Sequence, residues 1–128
     1  MCSFKYCSKQ IKMFDFEKLE VYTVARKLNY KVFSFLYKSK SIDTHLQDQW
    51  KRASLSILLN LAEGTGRISI NDKKHFITIA RGSVNESVAI LQILKDLDRI
   101  EERIYSDLYA KYEQVLKMLL GMYRSYSK

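Results

Sequence analysis

The residues of this chain that could perform catalysis are few and scattered. His45 and His75 are the only histidines. His75 follows Arg67 by eight positions, a longer interval than the arginine–histidine motif of some all-helical ribonucleases has. Ser83 lacks the glycine-flanked turn after a strand that exposes a nucleophilic serine, and no histidine lies near it in the sequence. We therefore predict no catalytic residue, and RNA cleavage through His75 is the weakest of three functional hypotheses.

The spacing of potential metal and phosphate ligands is equally uninformative. Cys2 and Cys7 are the only cysteines, and no second pair completes a zinc site. Glu101 and Glu102 lack the further spaced carboxylates that a magnesium-dependent helical enzyme needs. The sequence Gly64-Thr65-Gly66 follows no strand and precedes no Gly-Lys-Ser/Thr, so it does not match a phosphate-binding loop. We predict no metal and no cofactor.

A polar constellation stands out in the segment RASLSILLNLAEGTGR, residues 52–67. Asn60 and Glu63 lie three positions apart and share one face of a helix. A buried carboxylate needs a partner, because an unpaired charge away from water is costly. Arg52, Arg67 or Arg81 could supply that partner. Gly64 is expected to end the helix in a left-handed conformation.

Two interpretations of these polar residues remain open. They form a capping and packing network, which we favour, or they line a binding groove at one end of the fold. Small residues in the next helix would let it approach this one closely. The predicted network comprises Asn60, Glu63, Gly64, Gly82, Ser83 and Glu86.

The net charge of +8 at pH 7 indicates affinity for a polyanion such as RNA or DNA. Residues 1–14 and 15–40 each carry +3, residues 41–98 sum to zero, and residues 99–128 carry +2. Ordinary solvated helix faces are the alternative explanation for these bases. The bases predicted to contact phosphates flank the segment described above and are Lys51, Arg52, Arg67, Lys73 and Lys74.

The periodicity of apolar residues predicts four helices. The chain has no proline and only four glycines, which favours long helices with few connections. The predicted helices span 16–39, 44–63 and 70–98, with the last beginning near residue 106. Asp15 and Ser69 are the expected N-terminal caps of the first and third helices. Short connections imply an all-α, up-down-up-down antiparallel four-helix bundle.

The remaining segments define the expected domain organisation and location. Residues 1–14 form a basic N-terminal arm, and residues 15–128 form the bundle. The sequence has no apolar run long enough to span a bilayer and no apolar core typical of a signal peptide. We expect a cytoplasmic protein.

The last helix carries the most regular periodicity, with apolar residues at alternating spacings of four and three. Such a seam is typical of helix packing in coiled coils. Tyrosines suit a half-wet contact, because the ring is buried while the hydroxyl reaches water. The seam is predicted to form either the core or a contact between subunits, and stacking on RNA bases is the less favoured alternative. Its members are Tyr105, Tyr109, Tyr112, Leu116, Leu119, Tyr123 and Tyr126.

Taken together, these segments resemble the four-helix-bundle proteins encoded within intervening sequences of bacterial 23S ribosomal RNA genes. The resemblance covers residues 16–126 and is carried by FEKLEVYTVARKL, RASLSILLNLAEGTGR and FITIARGSVNESVAILQILKDL. Asn60-Leu61-Ala62-Glu63-Gly64 is its most specific part. Leu58 and Leu59 depart from the proline and serine that the family often has there, which predicts a straighter second helix.

The resemblance implies a homo-oligomeric ring, commonly a pentamer, and no established reaction. Related bundles accompany reverse transcriptases of diversity-generating elements, and that role applies here by analogy only. The sequence therefore predicts a non-enzymatic oligomer that binds structured RNA or a ribonucleoprotein through basic surfaces. The second hypothesis is a protein-interaction scaffold, for example an accessory subunit of a reverse transcriptase.

Overall fold

The computed structural model describes residues 13–127, which form a four-helix bundle. A 3₁₀ turn at Asp15–Lys18 precedes helices α1 (Glu20–Lys38), α2 (Thr44–Thr65), α3 (Ile70–Asp96) and α4 (Glu102–Ser125). Each helix packs against the next, and α4 packs against α1, so the four helices enclose one core. Short connections make the neighbours antiparallel, which confirms the predicted all-α architecture. The predicted arm at residues 1–14 lies mostly outside the described residues.

The first helix begins later than predicted. Leu19 is extended (φ −79°, ψ 127°) and separates the 3₁₀ turn from α1. Asp15 lies inside that turn, and the prediction that it caps the helix is wrong. The turn is held instead by Glu17, whose carboxylate accepts the backbone N–H of Phe14 at 3.1 Å. Phe16 packs edge-on against Tyr22 with ring centroids 4.9 Å apart, which folds the turn back onto α1.

Local side chains and backbone bonds fix the other helix ends. Asp43 caps α2 by accepting the backbone N–H groups of His45 and Leu46. Ser69 caps α3 by accepting the N–H of Asp72 at 3.2 Å, which confirms the predicted cap. A left-handed residue at the other end of α3, Asp98 with φ 55°, terminates that helix. Arg99 N–H then bonds back to Leu94 O at 2.9 Å, in the manner of a Schellman turn.

The core is assembled from one stripe of each helix. Its apolar side chains come from all four helices, with Trp50 and Tyr112 the largest that are fully buried. Other fully buried members are Leu28, Val32, Ile57, Leu61, Ile77, Val84, Leu91, Leu94, Leu108 and Leu119. A continuous apolar core of this kind supplies most of the helix stability, because helices in proteins are stabilised mainly by tertiary packing of their apolar faces rather than by intrinsic propensity.

The buried stripes of α3 and α4 differ from those predicted. Apolar periodicity in the sequence predicts that Ile79 and Leu97 lie on the buried face of the third helix, but they are 37% and 52% exposed. In α4 the buried positions are Leu108, Tyr112, Val115 and Leu119, whereas Tyr109 is 40% exposed. The seam therefore divides: Tyr112 and Leu119 belong to the core of this chain, and the other members lie at its margin or outside it.

Gly64 is needed for a different reason from the one predicted. It lies within α2, and no described glycine has a positive φ, so it is not a left-handed cap. Gly66, with φ −79°, follows the helix in its place. A Cβ on Gly64 would lie 2.8 Å from the Cβ of Phe76 on α3. The glycine therefore allows α2 and α3 to approach closely near their shared turn.

A polar cluster crosses the centre of the bundle. Trp50 Nε1 donates to the hydroxyl of Tyr112 at 2.9 Å, which joins the diagonal helices α2 and α4. Ser54 Oγ lies 3.5 Å from the same hydroxyl. Ser87 of α3 lies close to it, and the Ser87 hydroxyl donates to Ser83 O at 2.8 Å. All four side chains are fully buried. Each polar atom needs these partners, because a buried group without one is costly.

Gly64→Ala is expected to destabilise the fold by about 1–3 kcal/mol, because the new methyl group overpacks the contact with Phe76. Gly82→Ala is the matched control: Gly82 lies inside α3 and its Cβ position is open. That change is expected to stabilise the protein by up to about 1 kcal/mol through helix propensity alone. Urea unfolding measures both values, and a stabilised Gly64→Ala protein would contradict the packing argument.

Tyr112→Phe is expected to cost about 1–3 kcal/mol, because it leaves the buried Trp50 N–H without its acceptor. Tyr109→Phe, at a half-exposed position of the same helix, is the control and should change stability by less than about 0.5 kcal/mol. Thermal and urea unfolding at neutral pH compare the two variants.

Alkaline pH provides an independent check on the same hydroxyl. Burial raises the pKa of Tyr112 above its ordinary value of 10.0, and burial also raises the pKa of Tyr126. The stabilising contribution of neutral Tyr112 is therefore complete below about pH 10 and is lost as pH rises through the folded-state pKa. Tyr112→Phe should reduce this alkaline loss of unfolding free energy. An unchanged pH dependence would contradict the assignment.

Candidate nucleic-acid interface

The bases predicted to contact nucleic acid fall into two separate groups. Lys51 and Arg52 lie in the first half of α2, whereas Arg67, Lys73 and Lys74 surround the turn between α2 and α3. Arg52 and Arg67 are fifteen residues apart, which corresponds to about 22 Å along a helix. The structure does not bring the five bases together in one patch.

The bases at the α2–α3 turn make contacts within the chain. Arg67 pairs with Glu63 at 2.9 Å, and its guanidinium lies 4.8 Å from the ring centroid of Phe76. Lys73 Nζ donates to the carbonyl oxygen of Thr65 at 3.1 Å, which satisfies one of the free carbonyls at the end of α2. These two bases help to close the turn, which limits their freedom to follow a phosphate backbone.

The other three predicted bases are held more loosely. Lys74 Nζ lies 4.9 Å from the ring centroid of Tyr123 on α4. Lys51 Nζ lies 5.3 Å from the ring centroid of Tyr37 on α1. Arg52 is exposed, and its guanidinium lies 3.5 Å from the side-chain oxygen of Gln49. Cation–π contacts at exposed sites contribute about 0.5–1 kcal/mol each, so a stronger anionic partner can replace them.

The predicted polar network divides into a packed part and an exposed part. Asn60 donates to the hydroxyl of Ser56 at 2.9 Å, and the hydroxyls of Ser56 and Ser83 lie 2.7 Å apart between α2 and α3. Glu63 is exposed rather than buried, because its side chain lies on the outer face of α2. Its carboxylate pairs there with Arg67. Glu86 is exposed.

The remaining candidate residues from the sequence are Gly82, His75 and the possible metal ligands. Gly82 is exposed, with open space around its Cβ position. His75 is exposed, and its ring lies edge-on to Phe76 at 5.4 Å between centroids. Within residues 13–127, no group of three or more His, Cys, Asp or Glu side chains is arranged to hold a metal ion. Cys2 and Cys7 lie outside that range.

A basic depression lies elsewhere, between α1 and α4. This groove has a volume of about 510 Å³. Its apolar lining comes from Phe35, Ile104 and Leu108, and Tyr30 lines its edge. Its charged lining residues are Lys31, Lys38, Arg103 and Asp107.

Only part of the positive charge in this groove is neutralised. Lys31 pairs with Asp107 across the groove at 3.0 Å. Arg103 approaches Glu101 at 3.9 Å, but both side chains are more than 70% exposed, so that pair contributes little. Lys38 has no ion-pair partner within the described part of the chain. The groove thus offers two cations, Lys38 and Arg103, to an anionic ligand.

The sequence contains a signal for this groove in the positions of its charged residues, but the net charge of residues 15–40 conceals it. Residues 15–40 carry six bases and three acids, which gives an unremarkable balance. The three acids all precede residue 21, and residues 21–42 contain five bases and no acid. Nearly all of α1 is therefore without a carboxylate. The separate positions of acids and bases within residues 15–40, rather than their net charge, therefore indicate the basic surface of α1.

The fold, with its basic groove, defines an all-α protein of the small four-helix-bundle class. The profile of the 23S rRNA-intervening sequence protein family matches residues 17–121. The chain belongs to this family, as its sequence motifs indicated. No curated protein matches the sequence.

A solved structure supports the fold. It is the 1.70 Å crystal structure of a protein with unknown function from the S23 ribosomal protein family of Bacteroides thetaiotaomicron. The two structures superpose with a TM-score of 0.76 at 20% sequence identity, covering 81% of this chain and 95% of that chain. At this identity the similarity demonstrates a shared fold. Across residues 13–127, none of the helices has the length and apolar character needed to cross a bilayer.

Proposed function

We propose that this protein is a non-enzymatic homo-oligomer that binds structured RNA, alone or in a ribonucleoprotein, through its basic surfaces. The observation that carries the proposal is the scarcity of acids in α1, which has a carboxylate only at its first residue, Glu20, and whose Lys31 and Lys38 line the groove shared with α4. Phosphate neutralisation by such bases supplies most of the sequence-independent affinity for nucleic acid. The five bases predicted from the sequence, in the first half of α2 and around the α2–α3 turn, provide secondary contacts in this proposal.

A separate apolar patch supports the oligomeric part of the proposal. Leu55 and Leu59, one helical turn apart on α2, are 44% and 64% exposed. The Ser56–Ser83 contact sets the register of α2 against α3, which places Ile79 near Leu59 on the same outer surface. Ile79 is 37% exposed. We name Leu55, Leu59 and Ile79 the outer patch, and contiguous exposed apolar groups of this kind mark contact sites.

The two surfaces lie on opposite sides of the bundle. The outer patch belongs to the α2–α3 side, and the groove belongs to the α1–α4 side. Subunits that associate through the outer patch therefore leave their grooves free. A ring, of five subunits by family resemblance, would present several weak basic sites to one RNA and multiply their combined affinity where the geometry allows simultaneous contact.

Salt-dependent RNA binding tests the basic groove. The double variant Lys38→Gln/Arg103→Gln is expected to weaken binding to an RNA hairpin and to reduce the log–log salt slope by about 2, one for each lost phosphate contact. The control Lys51→Gln/Arg52→Gln removes the same charge at sequence-predicted sites and should have the smaller effect. Fluorescence anisotropy across a salt series measures both slopes.

Two results would contradict this proposal in different ways. Equal losses of RNA affinity in the two double variants would indicate that binding depends on the overall positive charge rather than on phosphate contacts in the groove. Absence of wild-type binding even at low salt would favour the protein-scaffold hypothesis, with a reverse transcriptase or another protein as the partner.

Leu59→Glu is expected to lower the oligomer mass, because it places a charge in the centre of the outer patch. The free energy of unfolding of the monomer should change little, since the Leu59 side chain is 64% exposed. Leu97→Glu is the control, because Leu97 is 52% exposed but lies at the end of α3 outside the patch. Sedimentation equilibrium measures the masses. A fully assembled Leu59→Glu protein would exclude the outer patch as the subunit contact.

A further inference from the structure

We infer that Lys74 and Arg81 of α3 form, with Tyr123 of α4, a phosphate-binding site that is separate from the α1–α4 groove. We name Lys74 and Arg81 the cation pair. This inference rests on the proposed RNA-binding function and adds a second site to it. It assigns to Arg81 a contact with phosphate rather than with a buried carboxylate.

Both members of the cation pair lie beside the same aromatic ring. Lys74 Nζ is 4.9 Å and the guanidinium carbon of Arg81 is 5.9 Å from the ring centroid of Tyr123. The two bases are seven positions apart on α3, about 10 Å along its axis, so the ring bridges two turns of the helix. Cation–π attraction holds each charge at the ring without using the N–H groups that donate to an anion.

Neither member of the cation pair has a carboxylate partner. Within residues 13–127, contact with Tyr123 is the interaction that each side chain makes, and neither forms an ion pair. Arg81 is only partly exposed, and its Nε is buried without a hydrogen-bond acceptor among those residues. A partly buried cation without a counter-ion is unfavourable, and an anion bound at its exposed edge offsets that cost.

The acids of α4 lie away from this site. Residues 114–127 contain no acid, and neither do residues 73–85 of the facing helix. Glu113 is the acid of α4 nearest in sequence to Tyr123, but it lies ten residues earlier, about 15 Å along the helix. Its carboxylate approaches Lys117 at 3.9 Å. The α4 side of the site is therefore without negative charge.

The acids of α3 project in other directions. Asp72 precedes Lys74 by two positions, which turns it about 160° around the helix from that lysine. Glu86 follows Arg81 by five positions and is turned by about 140°. Both acids are exposed, and neither forms an ion pair with the cation pair. The positive charge of the cation pair is thus left to an external anion. Guanidinium and ammonium groups together suit phosphate, which arginine binds through two parallel hydrogen bonds.

The new site and the groove lie at opposite ends of α4. Arg103 of the groove and Tyr123 are twenty residues apart, about 30 Å along the helix. The groove is on the α1 flank of α4, whereas the cation pair is on its α3 flank. The two sites therefore contribute separately to RNA affinity, and one RNA must be about 30 Å long to reach both.

Salt-dependent binding of the RNA hairpin tests the site on the full chain. Lys74→Gln/Arg81→Gln is expected to reduce the log–log salt slope by about 2, one for each lost phosphate contact. Lys74→Gln alone should reduce it by about 1 and serves if the double variant fails to fold. Combination with Lys38→Gln/Arg103→Gln should reduce the slope by about 4, since distant sites act additively. Urea unfolding establishes that each variant is folded.

Lys51→Gln/Arg52→Gln is again the matched control. Lys51 also lies beside a tyrosine, with Nζ 5.3 Å from the ring centroid of Tyr37, whereas Arg52 approaches Gln49. These two bases do not share a ring, so the control removes the same charge without removing a paired site. Its slope should change by less than about 1.

Tyr123→Leu tests the ring separately, because it leaves every charge in place. Leucine retains apolar contact at the margin of the core, where Tyr123 packs, but it no longer holds the two cations. RNA affinity is expected to fall about three-fold or more, because the released side chains must then be ordered on binding. Tyr37→Leu, which releases Lys51 alone, should leave the affinity unchanged.

The outcomes separate this inference from the proposed function. A loss of slope in the Lys74 and Arg81 variants no greater than that in the control would overturn the inference, while binding through the groove stands. Failure of wild type to bind the hairpin at low salt would overturn both. Binding of fluorescein-labelled poly-glutamate as tightly as RNA, lost in Lys74→Gln/Arg81→Gln, would overturn the phosphate assignment in favour of an acidic protein ligand.

Discussion

The hydrogen bond from Trp50 to Tyr112 is the contact on which the geometry of this bundle depends. It joins α2 to α4, two helices that lie diagonally across the core, so it constrains a distance that neighbouring-helix contacts leave free. Ser54 of α2 lies 3.5 Å from the same hydroxyl, and Ser87 of α3 lies close to it. Buried polar groups must find partners, and this requirement excludes alternative registers in which an apolar core alone would pack almost as well.

The same contact shapes the surface. Trp50 supports Phe35 from below, and Phe35 forms part of the floor of the α1–α4 groove. The position of the groove is therefore set by the central polar cluster rather than by the residues at its rim. This arrangement separates tasks among the helices, because α2 and α3 form the closely packed half through Gly64 and Ser83, while α1 and α4 carry the open depression.

Features encoded by neighbouring residues were predictable from the sequence, and features that depend on distant residues were not. The Ser69 cap is a local hydrogen bond, and the four helices follow from apolar periodicity. Gly64 illustrates the limit, since its Gly-Thr-Gly context suggested a helix end while its real constraint is Phe76 on the next helix.

The candidate sites show the same limit. The α1–α4 groove joins Lys31 to Asp107, which are 76 positions apart in the chain, so no local pattern reveals it. Glu63 was predicted to be buried because apolar residues surround it in sequence, yet a shift of one residue around a helix turns a side chain by about 100°. Apolar periodicity identifies the face of a helix that packs in the core. The packing of the neighbouring helices decides which residues at the edges of that face are buried.

The packing of α1 has a consequence for the dynamics of the molecule. This helix packs less extensively than α2 and α3 pack on each other. Its buried Asn29 donates to Ser54 O at 2.7 Å, but Asn29 Oδ1 has no hydrogen-bond partner among the described residues. Detachment of α1 would hydrate that oxygen, which lowers the free energy of this opening relative to complete unfolding. Amide hydrogens of α1 should therefore exchange with solvent before those of α3. The helix with the largest excess of bases over acids is thus also the helix that detaches from the bundle more readily.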